Sequence, residues 1–470
     1  MGSFRFKFLK REYEIKTFYF LLTIILLAVA LRIYHLDYQS LWHDEFHSML
    51  ETDPDLPFDE MMDHCKNDQP PAHFLMLRYW LKVFGYSSYN GRLLSVVIGL
   101  LGVLAMFFLG KEFKNETTGL LCAFITSANY FHILYSQEAR FYILVFLFST
   151  LSYLYFLKST RNQRLINYIG YVLTTVGLLY THYFGLVVFL SQAIIFVAVF
   201  FYKKYTRTFF VWSMAAAISV VILISPWIPI FVHDNATSAF WILPLDKTFL
   251  LGCIYDYFNN HVLYKVFGLL FLYFLIKLMW RVCAGEEKDI VGFIVLFGWV
   301  LLGFMIPIIY SYVKMPMLIC RYTMIVVPGV ILCLALAIET INNRQIRTAF
   351  LIFILMTSIG GLFVNGYYTK IRNEQYREAA LKVIQENKDN SIVFSYDGWF
   401  FNYYFKVNHI GYKVIKPWET DYKDELRKNK KVWVLYAPTW EPLDKELEIQ
   451  NFKVKNDYRF ESVRVVLYAK

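Results

Sequence analysis

The sequence has little charge for its length. Asp, Glu, Lys and Arg make up only 18% of its 470 residues, whereas a soluble domain carries about 25%. The charged residues are also clustered, so that long stretches hold none, the longest being residues 165–202. This distribution excludes a disordered chain, a collagen and a nucleic-acid module as descriptions of the whole protein. With 57% hydrophobic residues, the composition predicts a polytopic α-helical membrane protein.

Cysteine is also scarce. The six cysteines show neither a C-x-x-C motif nor the Cys and His spacing of a zinc site, so neither a disulfide framework nor a zinc knuckle is indicated. We expect them to be packing residues. The alternative is a pairing of Cys65 with Cys253 or Cys320 outside the cytoplasm.

The apolar runs are long enough to cross a membrane many times. A bilayer core about 30 Å thick needs about 20 apolar residues per helix. Eleven segments meet this requirement if the run 165–202 is divided by a polar hairpin at Thr181-His182-Tyr183. They are residues 17–31, 93–110, 117–134, 141–157, the two halves of 165–202, 208–229, 262–279, 290–310, 322–338 and 348–366. The sequence therefore predicts about eleven transmembrane helices within residues 1–366.

The positions of the basic residues predict the orientation of these helices. Lys and Arg form six clusters, at the N-terminus and in alternate loops, and short basic loops stay cytoplasmic. The net charge of +10 thus reflects topology and implies no nucleic-acid partner. The loop 35–92 and residues 367–470 then lie outside. Ala28-Val29-Ala30 resembles a signal-peptide cleavage site, but the orientation favours an uncleaved first helix.

Residues 367–470 differ from the rest of the chain because charge returns throughout. Residues 374–387 have the pattern of an amphipathic helix, and residues 392–396, 432–437 and 463–469 are short runs of β-branched and aromatic residues. We predict a small soluble extracytoplasmic α/β domain, which serves as a docking or acceptor-recognition cap.

The first outer loop, 35–92, is rich in acidic residues. Most of them are expected to solvate an exposed loop. Asp44 and Glu45 differ, because they follow the first helix closely and are flanked by Trp42 and Phe46, which favour the membrane interface. A carboxylate in that reduced dielectric suits a general base or a metal ligand. The alternative is a solvated acidic pair.

A second motif of this loop is Asp68-Gln69-Pro70-Pro71-Ala72-His73. Prolines cannot continue a helix but can start one, and the following segment contains Arg78 and Lys82, so we expect an interfacial helix. Asp68 and His73 are candidates for a metal or an acceptor contact. The alternative is a capping Asp and an interfacial His.

The outward-facing turns hold the remaining polar candidates. Ionisable groups at membrane depth are costly and indicate functional sites, and the forked guanidinium of arginine suits a phosphate diester. The alternative for Arg140 and Arg321 is a snorkelling anchor, or an ion pair between Arg140 and Glu138. The candidates are Tyr135, Glu138, Arg140, His182, Tyr183, His233, Trp241, Asp256, Lys314, Arg321 and Tyr322.

Taken in order, these motifs resemble the GT-C glycosyltransferase superfamily. The resemblance is strongest to bacterial dolichyl-phosphate-mannose protein mannosyltransferase-like enzymes and extends to lipid A aminoarabinose transferases. It rests on Trp42-x-Asp44-Glu45, Gln69-Pro70-Pro71, Tyr135 to Arg140, Thr181-His182-Tyr183, Pro226 to Pro229, Phe240-Trp241-Ile-x-Pro244, and Arg321-Tyr322 before Pro328. One departure is Gln69, where relatives often have His or Lys.

The resemblance implies an inverting glycosyltransferase in a bacterial inner (plasma) membrane, with its N-terminus cytoplasmic. It would move a sugar from a polyprenyl-phosphate donor to a glycan, glycolipid or protein acceptor on the outer face. Asp44 would be the general base and Glu45 its partner, and Arg140 and Arg321 would contact the donor phosphate. Other substrate contacts would be Gln69, Tyr135, Glu138, His182, Tyr183, Trp241, Lys314 and Tyr322. Asp68 lies where aminoarabinose transferases have an acidic metal-associated residue, and His73 and His233 are the other candidate ligands of a divalent metal. Metal dependence itself stays open.

A transporter or flippase of lipid-linked sugars is the alternative function. Transporters place their polar residues near the bilayer midplane, often at broken helices, whereas here these residues gather at the outer ends of the predicted helices. A membrane scaffold would leave Asp44, Glu45 and the arginines unexplained.

Overall fold

The structure of the protein is a computed structural model. It describes residues 2–67, 69–203, 205–237, 242–412, 414–416, 422–437, 447 and 450–470. The side chains of residues 2–14, 67 and 233–237 lie outside this description.

Within these ranges the chain is mostly helical. The α-helices are α1 Gly2–Ile33, α2 His43–Glu51, α3 Phe58–Asn67, α4 Ala72–Phe84, α5 Ser88–Phe113, α6 Glu116–Ala128, α7 Tyr130–Ser136, α8 Tyr142–Arg161, α9 Leu165–Leu179, α10 Gly185–Lys203, α11 Arg207–Ile224, α12 Ile228–Thr237, α13 Phe249–Phe258, α14 His261–Cys283, α15 Ile290–Val313, α16 Val327–Glu339, α17 Arg344–Val364, α18 Tyr376–Glu386, α19 Gly398–Val407 and α20 Tyr422–Lys428. Two 3₁₀-helices span Ser225–Trp227 and Cys320–Ile325. The β-strands are β1 Ile392–Ser395, β2 Val414–Ile415, β3 Lys431–Tyr436, β4 Lys453–Phe460 and β5 Val463–Ala469.

Eight of the described helices are long and apolar enough to cross a membrane, by length and composition. They confirm the prediction of a polytopic helical membrane protein. The eight segments are Ile15–Ile33, Ser88–Phe113, Tyr142–Arg161, Gly185–Lys203, Arg207–Val232, His261–Cys283, Ile290–Val313 and Arg344–Val364. The other three predicted spans correspond to shorter helices, namely α6 with α7, α9 and α16, so the number eleven stays a prediction.

The predicted span 117–134 is divided at Asn129. The backbone of Asn129 is extended, and its side-chain oxygen accepts a hydrogen bond from the N–H of His132 at 3.0 Å, which caps the start of α7. The carbonyl groups released at the end of α6 accept hydrogen bonds from buried Arg32, at 3.1 Å for Thr126 and 2.9 Å for Ser127. The break is therefore satisfied internally, and it starts the short helix that leads to Arg140.

The chain divides into two compact units. Unit 1 comprises Met1–Tyr34, Leu56–Arg78 and Arg92–Tyr367, and unit 2 comprises His35–Asp55, Tyr79–Gly91 and Tyr368–Lys470. Unit 2 thus combines the C-terminal residues with two pieces of the loop 35–92. The domain border predicted at residues 366 and 367, and the role of each domain, stay predictions.

The sheet of unit 2 has the strand order β2-β1-β3-β5-β4. β1 is parallel to β2 and β3, whereas β5 is antiparallel to β3 and β4. Strands β1, β3 and β5 lie within or close to the runs that the sequence pattern indicates. The pattern misses β4, because an edge strand that is exposed along much of its length carries Lys453, Lys455 and Asp457 and shows little hydrophobic alternation.

Candidate active site

The start of α4 is tied to the turn between α9 and α10 in unit 1. The N–H of Ala72 donates a hydrogen bond to the carbonyl of Tyr180 at 2.9 Å. Pro70 and Pro71 immediately precede α4, in agreement with a proline-initiated helix. His73, on α4, and His182, in that turn, both contact the ring of Phe141. Their ring centres lie 6.2 and 4.9 Å from it, respectively.

His182 is buried and retains one hydrogen-bonding atom without a partner. Its Nδ1 accepts a hydrogen bond from the N–H of Phe184 at 3.0 Å, so the neutral ring carries its proton on Nε2. Among the described residues, Nε2 has no hydrogen-bond partner. The ring is enclosed by Phe141, Phe184 and Tyr322, at 4.9, 5.5 and 4.9 Å. The unused donor is therefore held in a fixed position.

The two histidines are neutral at physiological pH. Burial, followed by the positive charges of Arg140 and Arg321, lowers the pKa of His182 from its usual 6.5 to about 3. Burial and the charge of Arg140 lower the pKa of His73 to about 3 as well. Neither nitrogen of His73 has a hydrogen-bond partner in the described part of the chain. Such unsatisfied buried groups call for an explanation.

Two arginines border the histidines. The guanidinium of Arg140, which is 6% exposed, lies 4.6 Å from the ring centre of Phe141. That of Arg321, in the second 3₁₀-helix, lies 5.6 Å from the ring centre of Tyr142. The rings of Phe141 and Tyr142 are 4.5 Å apart. Two cations and a neutral N–H donor, held on one aromatic cluster, form an arrangement that can bind a phosphate.

The other candidates of unit 1 occupy varied positions. Tyr135 is buried against Tyr142, with ring centres 5.0 Å apart. Glu138 is half-buried, and its carbonyl accepts a hydrogen bond from the N–H of Arg140 at 2.8 Å, which forms the turn before α8. Tyr183 contacts Phe231 at 5.0 Å.

Gln69 and Lys314 are less closely connected to this cluster. Gln69 is half-buried, and its side-chain oxygen lacks a hydrogen-bond partner among the described atoms. Lys314 is exposed at the end of α15, where its Nζ lies 5.6 Å from the ring centre of Tyr310.

Two of the three predicted metal ligands fall outside the described residues, so the predicted metal site stays a prediction. Asp68 and Trp241, as well as the side chain of His233, lie outside the description. Among the described side chains, no three His, Cys, Asp or Glu residues are grouped so that they could hold a metal ion. The surroundings of His73 are aromatic and cationic, and a cationic neighbour does not suit a metal ligand.

Asp44 lies in unit 2, in the first turn of α2. The N-terminus of a helix favours negative charge, and the carboxylate is 21% exposed, 3.8 Å from Nδ1 of His43. Glu45 is fully buried, and its Oε2 accepts a hydrogen bond from the N–H of Trp42 at 3.4 Å. Glu45 therefore caps the helix that carries Asp44.

Sequence reasoning misses three residues that contact the candidates, two of them in unit 1 and one in unit 2. Phe141 and Tyr142 directly follow Arg140, and this adjacency is the signal that could have revealed them. Trp399, on α19, contacts His43 and His47 with ring centres 5.7 and 5.0 Å apart. It is distant from α2 in the sequence, so no local pattern connects the two.

An apolar cavity of about 620 Å³ lies within unit 1, between α13, α14, α15 and α16. Phe258, Phe267, Phe304 and Leu334 are among its lining residues, and Lys265 contributes the single charged side chain. Such a cavity suits an aliphatic chain.

Comparison with known proteins identifies the fold. Residues 68–230 match the family model described as dolichyl-phosphate-mannose-protein mannosyltransferase. The crystal structure of ArnT from Cupriavidus metallidurans in the apo state superposes with a TM-score of 0.63, at 9% identity, over 97% of this chain and 98% of that chain. This chain has the GT-C glycosyltransferase fold. The predicted resemblance is thereby confirmed.

Two further proteins are similar to this chain. The oligosaccharyltransferase from Archaeoglobus fulgidus, in complex with Zn and sulfate, has a TM-score of 0.52 at 10% identity, over 88% of this chain and 67% of that chain. The dolichyl-phosphooligosaccharide-protein glycotransferase 1 of Pyrococcus horikoshii is 33% identical over 153 residues. The match covers 30% of this chain but only 15% of that relative.

Proposed function

We propose that this GT-C protein is an inverting glycosyltransferase that moves a sugar from a polyprenyl-phosphate donor to an acceptor on the extracytoplasmic face. The family model names a dolichyl-phosphate-linked donor. A second ArnT structure, with a TM-score of 0.61 at 10% identity, contains undecaprenyl phosphate. Both relatives support a lipid phosphate as the leaving group.

The observation that carries this proposal is that Nε2 of His182, which lies beside two arginines, has no hydrogen-bond partner among the residues that the structure describes. A buried donor without an acceptor costs about 1–3 kcal/mol. A phosphate oxygen would accept this hydrogen bond, and its negative charge would be neutralised by Arg140 and Arg321. A neutral ligand would fit this cluster less well than an anion, because two guanidinium groups attract negative charge.

The proposed reaction needs a base and a stabilised leaving group. Asp44 takes the proton of an acceptor hydroxyl, whose oxygen attacks the anomeric carbon on the side opposite the phosphate. The bond between this carbon and the phosphate oxygen breaks, and its electron pair stays on the phosphate. Arg140, Arg321 and His182 stabilise the charge that develops there.

The transmembrane topology and one apolar cavity fit a lipid-linked donor. We infer about eleven transmembrane helices in a bacterial inner membrane, a cytoplasmic N-terminus and an extracytoplasmic soluble α/β domain. The cavity of about 620 Å³ supports a site for part of the polyprenyl chain, since its walls are almost entirely apolar.

Binding and transfer assays test the proposal separately. We expect the full-length protein to bind undecaprenyl phosphate, and Arg321→Ala and His182→Phe to weaken binding about tenfold each. Arg344→Ala removes an exposed charge at the start of α17 and serves as a matched control that binds normally. Equal binding by all variants would contradict the proposed phosphate site.

Asp44→Asn tests the base. We expect this variant to bind undecaprenyl phosphate normally and to lose transfer by about 10²–10⁴-fold. The assay uses farnesyl-phosphate-linked mannose, glucose, galactose, N-acetylglucosamine and arabinose as donors. Retained transfer by Asp44→Asn would contradict its role. Binding of the lipid together with its movement across vesicles, without transfer, would instead favour the flippase.

A further inference from the structure

An aromatic surface of unit 2 lies directly beside Asp44. His43 and His47 are one turn apart on α2, with ring centres 4.8 Å apart, and both contact the ring of Trp399. The side chains of the two histidines are 58% and 40% exposed, and Trp399 is half-buried. We name these three residues the aromatic platform. It is accessible and is joined to Asp44 through His43.

The helix that carries Trp399 is anchored by its other aromatic residues. Phe400 is 2% exposed and packs against Phe46 of α2, with ring centres 4.5 Å apart. The hydroxyl of Tyr404 accepts a hydrogen bond from the N–H of Leu41 at 2.9 Å. Trp399 stands out on α19, because the other aromatic residues of that helix are all buried. Its position beside His43 is thus fixed by packing.

The chemistry of this surface matches a sugar ring. One face of a sugar carries C–H groups with partial positive charge, and the negative face of an aromatic ring attracts them. Its rim carries neutral hydroxyls, which imidazole nitrogens and carboxylates can bind. The carboxylates of Asp44 and Glu51 lie 3.8 and 3.9 Å from the two histidines and disfavour an anionic ligand.

We propose that the aromatic platform is the acceptor subsite, and that the acceptor is a saccharide. This inference rests on the proposed function, because it assumes that the hydroxyl which reacts lies at Asp44. Trp399 would bind the ring that bears this hydroxyl, and the two histidines would bind its neighbouring hydroxyls. The second compact unit then recognises the acceptor through a residue of its C-terminal part.

Saturation-transfer NMR on the full-length protein in nanodiscs tests the site directly. The probes are methyl glycosides of mannose, glucose, galactose, N-acetylglucosamine and arabinose, with a Ser- and Thr-containing hexapeptide for comparison. We expect saturation of the ring C–H protons of at least one glycoside. Trp399→Ala should abolish it, and Trp399→Phe should retain part of it. Trp280→Ala, which removes a Trp that is 63% exposed on α14, should leave it unchanged.

Acceptor kinetics provide the second measurement. We expect Trp399→Ala to raise the KM for the glycoside about tenfold and to leave the donor KM unchanged. Absence of glycoside binding, binding equal to wild type in Trp399→Ala, or transfer to the peptide alone would overturn the inference. Glycoside binding at Trp399 without transfer from any donor would instead overturn the proposed function and leave the saccharide site standing.

Discussion

The two ends of α8 place an arginine in different surroundings. At its C-terminal end, Arg161 pairs with the carboxylates of Glu112, at 3.6 Å, and of Asp289. At its N-terminal end, about 30 Å away for a helix of 20 residues, Arg140 lies beside His73 and His182. Both nitrogens of His73, and Nε2 of His182, lack hydrogen-bond partners among the described residues.

The basic side chains at the two ends therefore lie in different surroundings, with carboxylates at the first end and imidazoles and aromatic rings at the second. Carboxylates balance the basic side chains at the first end, where Lys111 also pairs with Glu116 at 2.7 Å. At the second end, neutral imidazoles lie beside the arginines, and Nε2 of His182 has no hydrogen-bond partner within the described part of the chain. Equivalent substitutions at the two ends should therefore affect different properties of the protein.

Among the changes at the two ends of α8, the largest effect on transfer is expected at Arg140. Arg140→Ala removes a cation that would stabilise the departing phosphate, so we expect transfer to fall about 10²–10³-fold. Transfer is expressed per folded molecule, so that a change in melting temperature does not enter the result. Transfer is measured with the farnesyl-phosphate sugars and melting by fluorescence in detergent. A variant that melts early and transfers normally per folded molecule would reverse the contrast between the two ends.

The buried histidines should make stability depend on pH. Their pKa is about 3 in the folded protein and about 6.5 in the unfolded chain. The unfolded state therefore binds more protons between these values, and stability falls as pH drops below 6.5. The expected loss is about 1.4 kcal/mol per pH unit for each histidine. Melting curves at pH 7, 6 and 5 measure it.

Two variants isolate this contribution from that of other groups. His182→Gln should reduce the loss of stability between pH 7 and 5 by about the share of one histidine. His64→Gln, which changes an exposed histidine on α3, should keep the wild-type dependence. The same slope in all three proteins would show that His182 is not buried as a neutral ring.

The smallest effect is expected at Arg161. Arg161→Ala leaves Glu112 and Asp289 without this cation, but all three side chains are 26–37% exposed, so water screens the loss. We expect about 1 kcal/mol less stability and a transfer rate close to wild type. Denaturant unfolding and the transfer assay measure the two. A large fall in transfer here would show that the two ends are coupled.

Much of the fold is predictable because membrane helices need long apolar runs. α5, α8 and α15 each coincide with such a run. The division at Asn129 is not predictable in the same way, since one Asn inside an apolar stretch does not reveal that its side chain caps a new helix. That outcome depends on Arg32, from a distant helix, which binds the carbonyls of α6.

The candidate site is predictable in its residue types but not in its arrangement. Arg140, His182 and Arg321 stand out because polar residues interrupt apolar runs. Their shared contacts depend on tertiary packing, such as the hydrogen bond between Ala72 and Tyr180. The capping role of Glu45 and the position of Trp399 require the folded unit 2.

A cryo-EM structure of the protein with undecaprenyl phosphate is the most direct test of the central claim. The account predicts a phosphate oxygen within about 3 Å of Nε2 of His182, with the guanidinium groups of Arg140 and Arg321 in contact with the same phosphate. A phosphate bound elsewhere, with Nε2 of His182 still without a partner, would contradict it.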